Sequence, residues 1–144
     1  MDSIDLRILD ILQADGRITM KELGQRVGLT SPATIERVKK LEENGVISGY
    51  KAVINIQKAG LAVRAFVMLM LTSINKSEFR EYIRSQENVL ECHRITGEMG
   101  YLIDLATADL AGMEKIIDEM SQFGQVRPFI VLSSPIEHKP VLLP

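Results

Sequence analysis

Apolar residues in the first fifty positions recur at helical spacing. Ile4, Ile8, Ile11 and Leu12 share one side of a helix, with Leu9 on its shoulder and Gly16 as its stop. Thr19 to Glu22 has the form of a capping box, in which hydroxyl and carboxylate satisfy orphan backbone donors at a helix start. A short second helix burying Leu23 and Val27 follows and stops at Gly28-Leu29. Ser31 then serves as N-cap and Pro32 suits the first turn of a third helix, which runs to about Asn44 before Gly45. On that helix Ile35, Val38 and Leu41 mark the buried stripe. A wheel at about 100° per residue turns Ala33, Glu36, Arg37 and Lys40 outward and leaves Thr34 on the flank. Two short helices around a Gly-containing turn, with a supporting helix before them, form a helix-turn-helix.

From Val46 to Asn55 the pattern switches to β-type alternation broken by Gly49, which predicts a hairpin or wing, and Gln57 to Gly60 marks the domain boundary. Beyond it lie a strand over 62–72 and a helix opened by Asn75 to Glu78 that buries Phe79, Tyr82 and Ile83. Strands over 89–96 and 101–106 flank the turn Gly97 to Gly100. A helix capped by Asp109 then carries Leu110, Met113, Ile117 and Met120 on one face, before a last strand over 126–134. The order βαββαβ predicts an α+β chain: a three-helix helix-turn-helix domain with its linker (1–60), then a ferredoxin-like domain (61–144). Such a sheet has helices on one face only, yet the first strand is apolar on both, with Val63, Ala65, Val67, Leu69 and Leu71 on one side and Phe66, Met68 and Met70 on the other; Tyr101, Ile103 and Leu105 likewise alternate with Leu102 and Ala106, and the last strand reads as apolar on both sides. A large apolar face marks an interface. A homodimer formed by packing two sheets is therefore expected, with the polar strand of Glu91, His93 and Arg94 at an edge.

Charge sharpens the first domain. The net charge of −2 speaks against a protein that coats nucleic acid indiscriminately, but Arg17, Lys21, Arg26, Arg37, Lys39 and Lys40 outnumber Glu22 and Glu36 between positions 17 and 40. The candidate DNA-binding residues are Lys21, Arg26, Ser31, Ala33, Thr34, Glu36, Arg37 and Lys40. Small side chains let the helix approach base edges, Arg37 has the reach for a bidentate guanine contact, and Lys40 suits a phosphate. Cys92 is the single cysteine, which excludes an intrachain disulfide and reads as a small buried thiol. No cofactor or metal site is expected. Acids near the N-terminus, and no run of about 18 apolar residues, predict a cytoplasmic protein without membrane contact.

Several segments carry a family resemblance: Ile4-Asp5 with Ile8-Leu9, the run from Gly28 to Glu42, Gly45 to Tyr50, and Glu91-Cys-His-Arg-Ile-Thr-Gly-Glu-Met-Gly-Tyr101. Together they resemble the Lrp/AsnC, or feast/famine, family of transcription regulators over essentially the whole chain. The resemblance implies double-stranded DNA as partner, dimers that assemble further into octamers, and an amino-acid effector held near Thr96, Gly97, Glu98, Met99, Gly100 and Tyr101. Family members commonly carry an acid immediately before that tyrosine, where this chain has Gly100. That leaves open Glu98 as a substitute, a different effector, or none. Two alternatives stand beside a sequence-reading regulator: a DNA-wrapping architectural protein with loose preference, and a decarboxylase of the Lrp-like type. Against an enzyme, neither His93 nor His138 has a partner at a recognisable triad or metal-ligand spacing, and no Gly-rich phosphate loop opens a helix.

Overall fold

The computed structural model describes residues 1–72 and 76–144. The chain divides into two compact units, Met1–Val53 together with Ile136–Pro144, and Ile54–Pro135.

The first unit contains α1 (Ser3–Ala14), α2 (Met20–Val27) and α3 (Ser31–Glu43). Asp2 caps α1: its carboxylate accepts the Ile4 and Asp5 amides at 2.9 Å each, and Asp5 accepts the Asp2 amide at 2.9 Å, a reciprocal capping box. At α2 the Thr19 hydroxyl accepts the Glu22 amide at 3.2 Å. The Glu22 carboxylate takes the Thr19 hydroxyl at 3.0 Å, so the expected box closes between side chains and not onto the backbone. Gly28 ends α2 in the left-handed region, with φ of 76°. The α3 cap is Thr30, one residue before the expected Ser31, and its side chain makes no capping bond. Gly45 (φ 70°) reverses the chain, and the Val46 and Ile47 amides both donate to the Leu41 carbonyl, at 2.9 and 3.1 Å. No strand forms over 46–55, so the expected hairpin or wing is replaced by irregular chain. Closing α3 uses the donors with which a hairpin would have begun.

Ile8, Leu9, Leu12, Ile18, Leu23, Val27, Val38 and Leu41 form the core of this unit, and Leu143 packs on it from the C-terminal segment. The Gln13 amide holds that segment by both ends, donating to the Val141 carbonyl at 3.1 Å and accepting the Val141 amide at 2.6 Å.

The second unit runs β1 (Val63–Leu71), α4 (Lys76–Ser85), β2 (Val89–Arg94), β3 (Tyr101–Thr107), α5 (Leu110–Ser121) and β4 (Gly124–Ile130). Its sheet order is β2-β3-β1-β4 with every pairing antiparallel, the ferredoxin-like arrangement expected. Asn75, assigned to the cap of α4, lies outside the described residues. Ala65, Val67 and Leu69 of β1 and Ile103 and Leu105 of β3 pack on Phe79, Met113, Ile116 and Met120. On α5 Met113 and Met120 are buried as expected, Ile116 joins them and Ile117 packs partly buried beside the core, whereas Leu110, read as part of the same stripe, is 64% exposed.

The free face of the sheet is more polar than the alternation suggested. Phe66 opposes Phe129 across β1 and β4, both exposed. Beside them the Arg64 guanidinium forms a two-pronged pair with the buried Asp104 carboxylate, at 2.9 and 2.5 Å, and lies 5.5 Å from the Phe66 ring centre. Arg127 and Gln125 share this side of β4, so the last strand is not apolar on both faces. Edge strand β2 bears Glu91 and His93, paired at 2.9 Å.

Candidate nucleic-acid interface

The angle between α2 and α3 depends on Gly24. This residue is buried, and a Cβ there would stand 2.7 Å from Thr34 Oγ1 and 2.8 Å from the Leu29 carbonyl oxygen. The backbone of α2 at Gly24 therefore lies directly against the Thr34 side chain of α3 and the turn carbonyl of Leu29. Thr34 is wholly buried at this contact, and its hydroxyl donates to the Thr30 carbonyl at 2.9 Å, which satisfies the only polar group its burial strands. The inner meridian of α3 is Thr34, Val38 and Leu41. Two sequence assignments change as a result. Thr34 cannot touch DNA, and Ile35, expected in the core, is 49% exposed.

Opposite that meridian, at about 100° per residue, lie Pro32, Glu36 and Lys39, all exposed, with Lys40 alongside. Ser31 and Ala33 are half-buried in the first turn. Lys40 pairs with Glu36 at 2.9 Å and Lys39 with Glu43 at 3.5 Å, all four side chains being well exposed. The hydrogen bond from Lys40 holds the Glu36 carboxyl below its ordinary value. Such surface pairs are weak and screened by salt, so either lysine can exchange its acid for a phosphate. Lys21 and Arg26 are exposed on α2.

Arg37, expected to point outward, is paired with acids of the first helix. Its Nη1 lies 2.8 Å from Asp2 and 2.7 Å from Asp5, which hold the guanidinium against the start of α1. These hydrogen bonds raise its pKa, while the Asp5 amide first and then the Arg37 guanidinium lower that of Asp2. The cap that starts α1 supplies both acids, so the residue read as a base reader links α3 to α1 in this structure. The signal for this was present as the Asp2-x-x-Asp5 pair, which had counted only as acidity. Sequence reasoning also missed Lys39 as a member of the outer face.

In the second unit the segment after β2 is closed by the Ile95 amide donating to the Gly100 carbonyl at 2.8 Å. Gly97 and Gly100 adopt φ of 95° and 75°. Thr96, Gly97 and Glu98 face solvent, whereas Met99 is buried and the Tyr101 ring meets Phe79 edge-on at 4.9 Å. Of the six residues read as an effector site, the turn thus offers Thr96 to Glu98 outward and commits Met99 and Tyr101 to packing. Cys92, expected to be buried, is exposed on β2, although its surroundings desolvate the thiol enough to raise its pKa.

Comparison with known proteins agrees with both halves. A winged helix-turn-helix DNA-binding family model matches residues 1–48, and the Lrp/AsnC ligand binding domain matches residues 64–141. The chain is 42% identical over 134 residues to the uncharacterised HTH-type transcriptional regulator YezC of Bacillus subtilis, covering 93% of this chain and 95% of that protein. The HTH-type transcriptional regulator LrpC of the same organism is 32% identical, covering 92% of each chain. The solved structure of B. subtilis LrpC superposes with a TM-score of 0.91 at 30% identity, over 96% of this chain and 99% of that one. A transcriptional regulator of Neisseria meningitidis solved as its L-Met complex gives 0.90 at 27% identity, over 99% and 96%. The chain belongs to the Lrp/AsnC family of DNA-binding transcriptional regulators.

Proposed function

We propose that the chain works in the cytoplasm as a homodimer that reads an operator with α3 and adjusts its binding to a small amino acid, without cofactor or catalytic step. The observation that carries this reading is the Gly24 contact. It fixes α2 against α3 and leaves α3 projecting with Ser31, Ala33, Glu36, Lys39 and Lys40 on or beside its outer side. Lys39, Lys40, Lys21 and Arg26 take phosphates, and Glu36 and the small first-turn residues approach base edges. The exposed faces of Phe66 and Phe129 pair two copies through residues 54–135. The outward turn of Thr96, Gly97 and Glu98 contributes to the effector site, and an amino acid as the effector class is supported by the L-Met complex of the Neisseria relative.

Selection from a randomised duplex library at two salt concentrations tests the DNA-binding part. Lys40→Ala and Lys39→Ala should each weaken all sequences alike and lower the salt slope by roughly one unit per subunit. Absence of duplex binding by the wild type at low salt would end this reading. A thermal-shift screen of amino acids tests the effector, because a ligand of the folded state alone raises its melting temperature.

A further inference from the structure

We infer that Ile35 is a specificity-determining residue that reads the 5-methyl group of a thymine in each half-site, an inference that rests on the DNA-binding mode proposed above. Ile35 is the fifth residue of α3, and 49% of it is exposed although its neighbours Thr34 and Val38 are buried. A lone exposed isoleucine on an ordinary helix is unremarkable. Here its position carries the argument. The N-terminal residues of the second helix of a helix-turn-helix reach base edges, and Ile35 sits in that half, one residue before Glu36 and four before Lys39. It lines a shallow groove between the end of α1, the start of α2 and α3, with Leu12, Met20, Lys39 and Tyr50 beside it, and the acid there, Glu42, accepts the Tyr50 hydroxyl at 2.9 Å. The groove is open to solvent and none of these side chains covers the isoleucine completely. In the major groove only thymine presents a methyl group, and apolar side chains recognise it by contact. The basic Lys39 beside Ile35 brings a phosphate backbone to the same face, which makes duplex DNA the occupant the surface fits.

The test begins with the duplex that the wild-type protein selects from a random library. Each thymine is replaced in turn by deoxyuridine, which removes only the methyl group. At one position per half-site the replacement should weaken the wild type about fourfold, the effect of one buried methyl. Ile35→Ala should bind the thymine and deoxyuridine duplexes equally at that position, and Ile35→Val should lose part of the discrimination. Melting of both variants within a few degrees of the wild type shows that the helix is intact. If Ile35→Ala weakens every duplex alike and keeps the deoxyuridine penalty, Ile35 supports the surface without reading it, and the inference is wrong. A wild type that selects a sequence but ignores every thymine methyl also overturns it, while leaving the regulator reading intact. Failure of the wild type to select any duplex overturns both.

Discussion

Replacing Gly24 by alanine adds one methyl group where the helix-turn-helix has no room for it. The new Cβ would lie 2.7 Å from Thr34 Oγ1 and 2.8 Å from the Leu29 carbonyl oxygen, against an ordinary approach of about 3.4 Å or more. Neither oxygen can withdraw freely. The Thr34 hydroxyl is tied to Thr30 at 2.9 Å, and the Leu29 amide is bonded to the Gly24 carbonyl at 2.8 Å, so the turn moves with the helix it would have to leave. Alanine gains about 1 kcal/mol of helix propensity over glycine. Overpacking a close contact costs about 1–3 kcal/mol, and two rigid oxygens put this site at the upper end. The net expectation is a loss of about 1–2 kcal/mol from the first unit, or a fall of roughly 5–15 °C in its melting temperature. With no tryptophan in the chain, far-UV circular dichroism during urea unfolding measures stability, and duplex titration measures the loss of the reading geometry. Thr34→Ala in the same background should restore part of the loss by removing one of the two oxygens. An unchanged or raised midpoint in Gly24→Ala, with unchanged DNA affinity, would refute the close approach and the helix angle derived from it.

Other perturbations probe separate contacts. Arg64→Met strands the Asp104 carboxylate under the sheet's free face. A one-sided loss from a buried pair costs about 3–5 kcal/mol, and the low end applies because a third of the Arg64 side chain meets solvent. Arg64→Met with Asp104→Leu should recover most of that stability in urea unfolding, and no recovery would show that the pair is not what the single variant breaks. Deleting Val141 to Pro144 removes both bonds to Gln13 and the packing of Leu143, and should lower the first unit's stability by about 1–3 kcal/mol. Gln13→Ala should reproduce part of this loss by calorimetry, and equal melting temperatures would discount the contact. Half of Tyr50 meets solvent, yet partial desolvation first and then its hydrogen bond to Glu42 push the phenol's pKa up to about 12. Its raised folded-state pKa contributes stability that is complete below about pH 10, the ordinary tyrosine value, and is lost as pH rises toward 12. Alkaline absorbance titration should show its phenolate forming late, and earlier in Glu42→Gln.

Features that depend on neighbours in the chain were legible. Caps at Thr19 and Asp109, the stop at Gly28 and the alternation of β1 place the helices and strands to within a few residues, because each is decided by local hydrogen bonding or by one periodicity. What depends on distant parts of the chain was not. Arg37 reads as an outward cation until Asp2 and Asp5 arrive from α1, some thirty residues earlier in sequence. The polar centre of the sheet face requires Arg64 and Asp104 to meet across β1 and β3, a pairing no single strand reveals. The run over 46–55 alternates as a strand would, but alternation does not supply the partner that a strand needs.

The phase of α3 shows how one such misreading bears on function. By apolarity alone Ile35, Val38 and Leu41 make the natural buried stripe, and a threonine is the wrong residue for a core. Two facts reverse the choice between Thr34 and Ile35. The absent side chain at Gly24 draws the helices so close that the shorter threonine fits where isoleucine would not, and the Thr30 carbonyl takes the hydroxyl that burial would otherwise leave unbonded. With the phase set by Gly24 and Thr34, Ile35 turns to the rim of the reading surface while Arg37 turns toward the acids of α1. A tight, locally satisfied helix contact thus exchanges the positions that composition assigns, leaving an apolar side chain exposed on α3 and an arginine paired with the acids of α1. Gly24→Ala should therefore do more than lower stability. By prising α2 from α3 it shifts Ile35 relative to Lys21 and Arg26 of α2, so its deoxyuridine discrimination should fall even at temperatures where the variant is fully folded. Full discrimination in a folded Gly24→Ala protein would show that the phase of α3 does not rest on this contact.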